Sequence, residues 1–133
     1  MWIGVFRSLL LAAATAGLPP VHTDQAVTKL QGVLIDKNCS YKAEPRVVAG
    51  PRLEGGIVVA YTETRQCALM PECQRSGYGV FTYDQKFVPF DHAGNEKALA
   101  FFKQSKQEDD FRVEVTGKMQ DGVMHVTSIQ ALQ

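Results

Sequence analysis

The sequence lacks an excess of charge of either sign, because 14 lysines and arginines balance 14 aspartates and glutamates. Proteins that bind nucleic acids or anionic membrane surfaces usually carry a basic field that attracts phosphate groups. We therefore predict that this chain has no nucleic-acid partner. A small ligand or another protein of the cell envelope is the partner class that we expect instead.

The short motifs of the common enzyme classes are also missing. The sequence contains no Gly-x-Ser-x-Gly, no phosphate-binding loop, no His-Glu-x-x-His and no Cys-x-x-Cys-His. A cysteine nucleophile would need a histidine nearby. His92 lies in a turn-like segment, whereas His125 alternates with apolar residues on a predicted strand, as structural histidines do. The sequence thus predicts a non-enzymatic protein that folds without a cofactor.

Long hydrophobic runs are absent as well. The apolar run at residues 8–18 is shorter than the roughly 20 residues that a transmembrane helix requires. Arg7 precedes it, and Ala14-Thr15-Ala16 near its end provides small residues at the spacing that a signal peptidase accepts, which is typical of a signal peptide. We predict a signal peptide over residues 1–26, cut after Ala16 or Ala26, with an uncleaved anchor as the alternative. The protein is then periplasmic or secreted, with no stable membrane span.

Residues 27–133 contain several short segments with strand character, which we expect to form one domain. The 11 glycines and six prolines of the chain are typical of short elements joined by turns. A helix is predicted at residues 95–106, because Asn95 can cap it and apolar residues cluster along it. The predicted strands occupy residues 27–36, 78–83, 86–90, 111–116 and 123–129.

A long excursion separates the first two of these strands. Residues 38–55 are rich in charge, proline and glycine and predict a loop. Residues 56–62 form an apolar run that fits either a buried strand or an edge hairpin. Residues 65–74 have helical composition, but Pro71 would end or kink a helix there, so we expect one or two short turns.

This order of elements predicts a mainly β (α+β) fold. It matches a small five-stranded barrel of OB type, which carries its helix between strands 3 and 4. Gly32 lies inside the long first strand, where such a barrel has to bend. A small α+β sandwich or an open β-meander with one helix would give a similar order.

The excursion contains every cysteine of the chain, Cys39, Cys67 and Cys73. In an oxidising compartment, a small domain gains stability from a disulfide. An unbroken helix would separate Cys67 and Cys73 by about 9 Å of rise, which is too far for a bridge. Either Pro71 folds the segment back or Cys39 pairs with one of them, and one thiol remains unpaired in a monomer.

A metal site is the alternative use of these thiols. Cys67, Met70 and Cys73 recur every three residues, so a short helix would direct three sulfur atoms to one side. Cys39, together with Asp36, could approach from the first strand. Thiolate and thioether ligands favour copper(I), whereas zinc, the other candidate, is usually bound by Cys-x-x-Cys pairs that this sequence lacks. The same residues could serve thiol redox chemistry. A third possibility is that the thiols are inert.

The predicted hairpin carries aromatic residues that include Tyr78, Phe81, Tyr83 and Phe87. The corresponding strands of OB barrels form the ligand-binding face, where aromatic rings stack on bases or sugars. These residues are therefore ligand-binding candidates. Because the chain is neutral and exported, we expect most of them to belong to the core instead.

Several short motifs along residues 27–133 resemble a loosely defined group of exported bacterial proteins with an OB-like β-barrel and no established activity. The resemblance implies the barrel and the export, and it supplies no catalytic residues. The motifs are GVLIDKNC at residues 32–39, Cys67 to Cys73 followed by SGYGV at residues 76–80, Phe90-Asp91 with Gly94-Asn95, and Val115-Thr116-Gly117.

Overall fold

The structure is a computed structural model that describes residues 16–20, 25–48, 50 and 52–133. Of the signal peptide predicted over residues 1–26, residues 1–15 and 21–24 lie outside the described residues. Within the described ranges, no helix combines the length and the apolar character that crossing a bilayer requires.

Seven strands and five helices make up the described part of the chain, and the strands belong to two sheets. In chain order they are β1 (Thr28–Asp36), α1 (Lys37–Ala43), β2 (Arg46–Val47), β3 (Leu53–Glu54), α2 (Ile57–Ala60), α3 (Arg65–Ala68), α4 (Pro71–Ser76), β4 (Tyr78–Thr82), β5 (Phe87–Pro89), α5 (His92–Gln104), β6 (Arg112–Gln120) and β7 (Val123–Ala131).

The main sheet has five antiparallel strands in the order β5-β4-β1-β6-β7. The predicted mainly β architecture is therefore confirmed. The described strands do not close into a barrel. An isolated parallel bridge joins Phe90, just after β5, to Met124 on β7.

The central strand, β1, is buried on both faces over its second half, residues 32–36. Its side chains alternate between two hydrophobic clusters, with Leu34 in the larger cluster and Val33 and Ile35 in the smaller one. The larger cluster includes Phe102 of α5, whereas the smaller one includes Ala43 of α1 and Ala60 of α2. The helices α1 and α2 thus form a second layer that covers the face of β1 opposite α5, whereas Ala68 of α3 belongs to the larger cluster.

The prediction of a loop at residues 38–55 is wrong for its first part, because the helix α1 begins directly after β1. Asp36 starts this helix by accepting the backbone N–H of Cys39 through its side chain at 3.0 Å. Charged residues on the outer side of α1 gave this segment the composition of a loop. The rest of the segment contains the short β2-β3 hairpin, which is exposed.

The strand or hairpin predicted at residues 56–62 is also wrong, because this segment contains the short helix α2. Gly55 and Gly56 both have positive φ, 89° and 87°, and the N–H of Gly56 donates to the carbonyl of Ala43 at 2.6 Å. This turn brings α2 against α1. Tertiary packing of Ala60 therefore outweighs the strand preference of the Ile-Val-Val run.

Pro71 divides the cysteine-bearing segment into two helices, α3 and α4. It occupies the first turn of α4, where its missing N–H costs no hydrogen bond. Met70 precedes it in an extended conformation. The prediction that Cys67, Met70 and Cys73 lie along one side of a single helix is therefore wrong.

The long helix α5 follows β5 in the chain and begins three residues before the position predicted for it. Its cap is Asp91, whose Oδ1 atom accepts the N–H of Gly94 at 2.9 Å. Asn95, the predicted cap, instead lies in the first turn, and its Oδ1 atom accepts the N–H of Tyr78 at 2.7 Å. This bond ties α5 to the first residue of β4.

Candidate metal centre

The centre is built around Asp36, the last residue of β1. This aspartate is fully buried, and its Oδ1 atom is the acceptor that begins α1. The cap fixes the backbone of Cys39 three residues later, so the first turn of α1 holds a carboxylate and a thiol together. Local sequence alone therefore positions two of the functional side chains.

Cys73 reaches the same place from α4, which packs against α1 and β1. One oxygen of Asp36 and the Sγ atoms of Cys39 and Cys73 all lie within 4.8 Å of one another. Cys73 is buried, and Cys39 is partly buried. Three potential metal ligands from two distant segments thus meet at the carboxyl end of β1.

A second carboxylate, that of Glu63, lies beside this group. Glu63 connects α2 to α3, and only 5% of it is exposed. Both of its carboxylate oxygens, and the Oδ2 atom of Asp36, find no hydrogen-bond partner among the described residues. Buried polar atoms are nearly always paired, because an unpaired one costs about 1–3 kcal/mol. A proton held between the two carboxyl groups, or a bound cation, would give these three atoms a partner.

The sequence analysis did not select Glu63. In the sequence, Glu63 is distinguished only by its position between an apolar segment and the cysteine-bearing segment. Any residue of that connection has the same position, so it does not identify Glu63. Its burial depends on the packing of α2 against α1, and α2 was itself not predicted.

The acidic groups of this cluster also raise one another's pKa values. Burial, reinforced by the adjacent Asp36 carboxylate, raises the pKa of Glu63 to about 9. Burial and the charges of Asp36 and Glu63 raise the pKa of Cys73 to about 11, and burial with the same two charges raises the pKa of Cys39 further. Each acid therefore opposes the ionisation of the others, and a cation would relieve that repulsion.

The pKa of the Tyr78 hydroxyl is also raised, by burial first and by the charge of Asp36 second. This hydroxyl donates to the carbonyl of Ala68 at 2.6 Å, and the backbone of Tyr78 is paired with Asp36 in the sheet. Tyr78 therefore stays neutral and links α3 to the floor of the centre. Its role is to position the group rather than to bind an ion.

Two of the four predicted metal ligands lie outside this group. Cys67 is exposed, and Met70 is 42% exposed. The break at Met70 between α3 and α4 is the reason, because it turns Cys73 inward and leaves the other two outside. The structure thus brings together Cys39 and Cys73, as predicted, with Asp36, which the sequence analysis placed nearby.

The predicted disulfide is not formed in the structure, where all three cysteines are free thiols. The sulfur atoms of Cys39 and Cys73 are nevertheless neighbours. A bond of about 2.05 Å between them would require only a local approach of α1 and α4. Cys67 is exposed and does not belong to this buried group.

The aromatic residues predicted as a ligand face are mostly core residues. Tyr78 and Phe81 are buried, in the larger and the smaller cluster respectively, and Phe87 is partly buried against the smaller one. Tyr83 is 46% exposed at the β4-β5 turn. Burial of the first two on opposite faces of β4 removes the continuous stacking surface that a ligand would need.

Both described histidines pair with carboxylates. Nε2 of His92 lies 3.2 Å from a carboxylate oxygen of Glu96, and Nδ1 of His125 lies 3.4 Å from a carboxylate oxygen of Asp91.

Comparison of the chain with family models, with curated proteins and with solved structures found no match.

Proposed function

We propose that this protein is an exported, non-enzymatic binding module that holds one zinc ion at Asp36, Cys39 and Cys73, with Glu63 completing the site. The observation that carries the proposal is the set of three partnerless carboxylate oxygens buried beside two thiols. A divalent ion would give those oxygens a partner and would stabilise the ionised forms of the thiols.

The donor set favours zinc over the other common ions. Zinc accepts thiolate and carboxylate ligands in a four-coordinate site. Copper(I) prefers sulfur throughout, and the thioether of Met70 is exposed rather than buried with the cysteines. Calcium and magnesium require oxygen ligands. Two sulfur and two oxygen donors therefore fit zinc best.

An OB-type scaffold is part of the same proposal. The antiparallel order β5-β4-β1-β6-β7 and the position of α5 between β5 and β6 in the chain support it. The isolated parallel bridge between Phe90, the residue after β5, and Met124 of β7 brings the two edges of the open sheet together at one point, in the direction that barrel closure would take. The excursion from α1 to α4 is then an insertion after the first strand, and it carries the proposed ligands Cys39, Glu63 and Cys73, whereas Asp36 is the last residue of β1.

A disulfide between Cys39 and Cys73 is the second candidate, and the proximity of their sulfur atoms favours it. Such a bond would stabilise the exported domain by closing a long loop, by roughly 2–4 kcal/mol. It would also remove both thiolates from the metal site. The two states are therefore mutually exclusive in one molecule.

Intact mass measurement of purified, processed protein distinguishes the two. With zinc and a phosphine reductant, native spectra are expected to show one zinc per chain, lost in Cys39→Ser and Cys73→Ser and retained in Met70→Leu. Denatured spectra recorded without reductant would report a disulfide as a loss of two hydrogens. Three free thiols without zinc in the reduced protein would refute the metal centre. The same spectra locate the signal cleavage site.

A further inference from the structure

A small surface cavity lies against one side of the proposed zinc centre, the side formed by Cys39 and Glu63. Its volume is about 130 Å³, and its lining includes Cys39, Glu63 and the exposed Cys67. Two of the proposed ligands therefore face the same space as a thiol that is not one of them. Glu63 is 95% buried and is one of the residues that line this cavity, and its two carboxylate oxygens are buried without partners among the described residues.

The three thiols differ in exposure, and the two more exposed ones line the cavity. Cys67 is exposed, Cys39 is partly buried and Cys73 is buried. The backbone N–H of Cys67 donates to Oγ1 of Thr64 at 3.1 Å, and this bond fixes the position of Cys67 beside the cavity. An ion arriving from solvent would meet the exposed sulfur of Cys67 before that of Cys39 in the same cavity, and the Cys73 sulfur lies within 4.8 Å of that of Cys39.

We propose that Cys67 is a transfer ligand, through which zinc enters and leaves the centre, and this inference rests on the proposed function. In the transfer step the bond between zinc and the Cys67 sulfur breaks while a bond to the Cys39 sulfur forms. The proton of the Cys39 thiol moves to the Cys67 thiolate, so no oxidant or reductant is needed. Zinc has no geometric preference from its d electrons, which allows ligands to exchange one at a time.

A buried centre without such a ligand would release its ion slowly, because two buried thiolates would have to be lost before any replacement bond formed. A thiol beside the cavity lets each bond be replaced as it breaks. Cys67 therefore acts on the rate of exchange and not on the stability of the bound state.

The test compares Cys67→Ser with the wild-type protein, both fully reduced and loaded with zinc. Stopped-flow mixing with an excess chromophoric chelator gives the rate of release, and competition titration gives the affinity. We expect Cys67→Ser to slow release at least about tenfold and to leave the affinity within about twofold. Met70→Leu, a change at an exposed neighbouring residue, is the matched control and should leave both values unchanged.

Two results would overturn the inference while leaving the zinc centre intact. One is an unchanged release rate in Cys67→Ser, and the other is a loss of affinity as large as that in Cys73→Ser, which would make Cys67 a resident ligand. If wild-type protein binds no zinc at all, the proposed function itself fails, and this outcome is distinct from the other two. Circular dichroism of each variant confirms that the fold is retained.

Discussion

The carboxylate of Asp36 accepts the backbone N–H of Cys39 at 3.0 Å, so one buried side chain both begins α1 and stands beside the first thiol of the centre. Only one of its two oxygens is used in this way. The other, Oδ2, has no partner among the described residues. Oδ1 of Asp36 therefore caps α1, whereas Oδ2 has no such role. A substitution that keeps the capping oxygen and removes the charge can test the two oxygens separately.

Replacing Asp36 with asparagine should separate metal binding from stability. Asparagine retains the capping oxygen but removes a negative charge from a buried acidic group. Uncompensated buried charges are destabilising. We therefore expect the free energy of unfolding of metal-free Asp36→Asn to equal that of the wild type or to exceed it by up to about 3 kcal/mol. Its zinc affinity should fall by about a hundredfold or more. Urea denaturation with and without zinc measures both effects.

Asp91→Asn is the matched control for this substitution. Asp91 also caps a helix with its Oδ1 atom, accepting the N–H of Gly94 at 2.9 Å, but it is not part of the acidic group at β1. Its zinc affinity should equal that of the wild type. A metal-free Asp36→Asn protein that is much less stable than the wild type would mean that the carboxylate serves the fold alone.

The raised pKa of Glu63 predicts an unusual pH dependence of the free energy of unfolding for the metal-free, reduced protein. The folded-state pKa is raised from 4.5 to about 9. Between these values the folded state keeps a proton that the unfolded state has released. The free energy of unfolding should therefore fall as pH rises through this window, by up to about 1.4 kcal/mol per pH unit. Denaturation midpoints at pH 5 to 9 would show the slope.

Glu63→Gln should flatten that slope, because glutamine does not titrate. The exposed Glu54 pairs with Arg46 at 3.5 Å, and Glu54→Gln should leave the slope unchanged. Saturating zinc should reverse it, since zinc displaces the protons of its ligands and binds more tightly as pH rises. A wild-type slope equal to that of Glu63→Gln would contradict the burial of an acidic Glu63.

Strand patterns in the sequence were sufficient to predict most of the sheet. The continuous apolar run of β1 and the alternation in β6 are strong signals, because each strand's burial follows directly from its side-chain period. The excursion could not be predicted in the same way. Whether residues 57–60 form a strand or a helix depends on the contact of Ala60 with the α1 layer, which no local pattern encodes.

The site was predictable only in part for a similar reason. Cys39 and Cys73 were selected because thiols are rare in this chain and clustered in one segment. Which of the cysteines turn inward depends on the break before Pro71, whose direction the sequence does not specify. The burial of Glu63 follows from the packing of three short helices, so this ligand was visible only in the structure.

Thiol alkylation should follow the gradient of exposure. In reduced, metal-free protein at pH 8, Cys67 should react first with iodoacetamide, because it is exposed. Cys39 and Cys73 should react at least about tenfold more slowly, since burial raises the pKa of each thiol and lowers the thiolate fraction. Zinc should slow the last two further and leave Cys67 accessible. Peptide mass spectrometry after timed quenching gives the three rates, and equal rates would contradict the buried pair.

The last prediction concerns the bond between α5 and β4, in which Oδ1 of Asn95 accepts the N–H of Tyr78 at 2.7 Å. Asn95→Ala leaves that N–H without its partner, and the free energy of unfolding should fall by about 1–3 kcal/mol. Asn95→Asp keeps the acceptor and should restore most of the loss, whereas Lys97→Ala, at an exposed position of α5, should change little. Because Tyr78 is the sheet partner of Asp36, zinc affinity in Asn95→Ala should also weaken, by less than about tenfold. Equal stability of the alanine and aspartate variants, measured by urea denaturation, would show that this bond does not hold β4 in place.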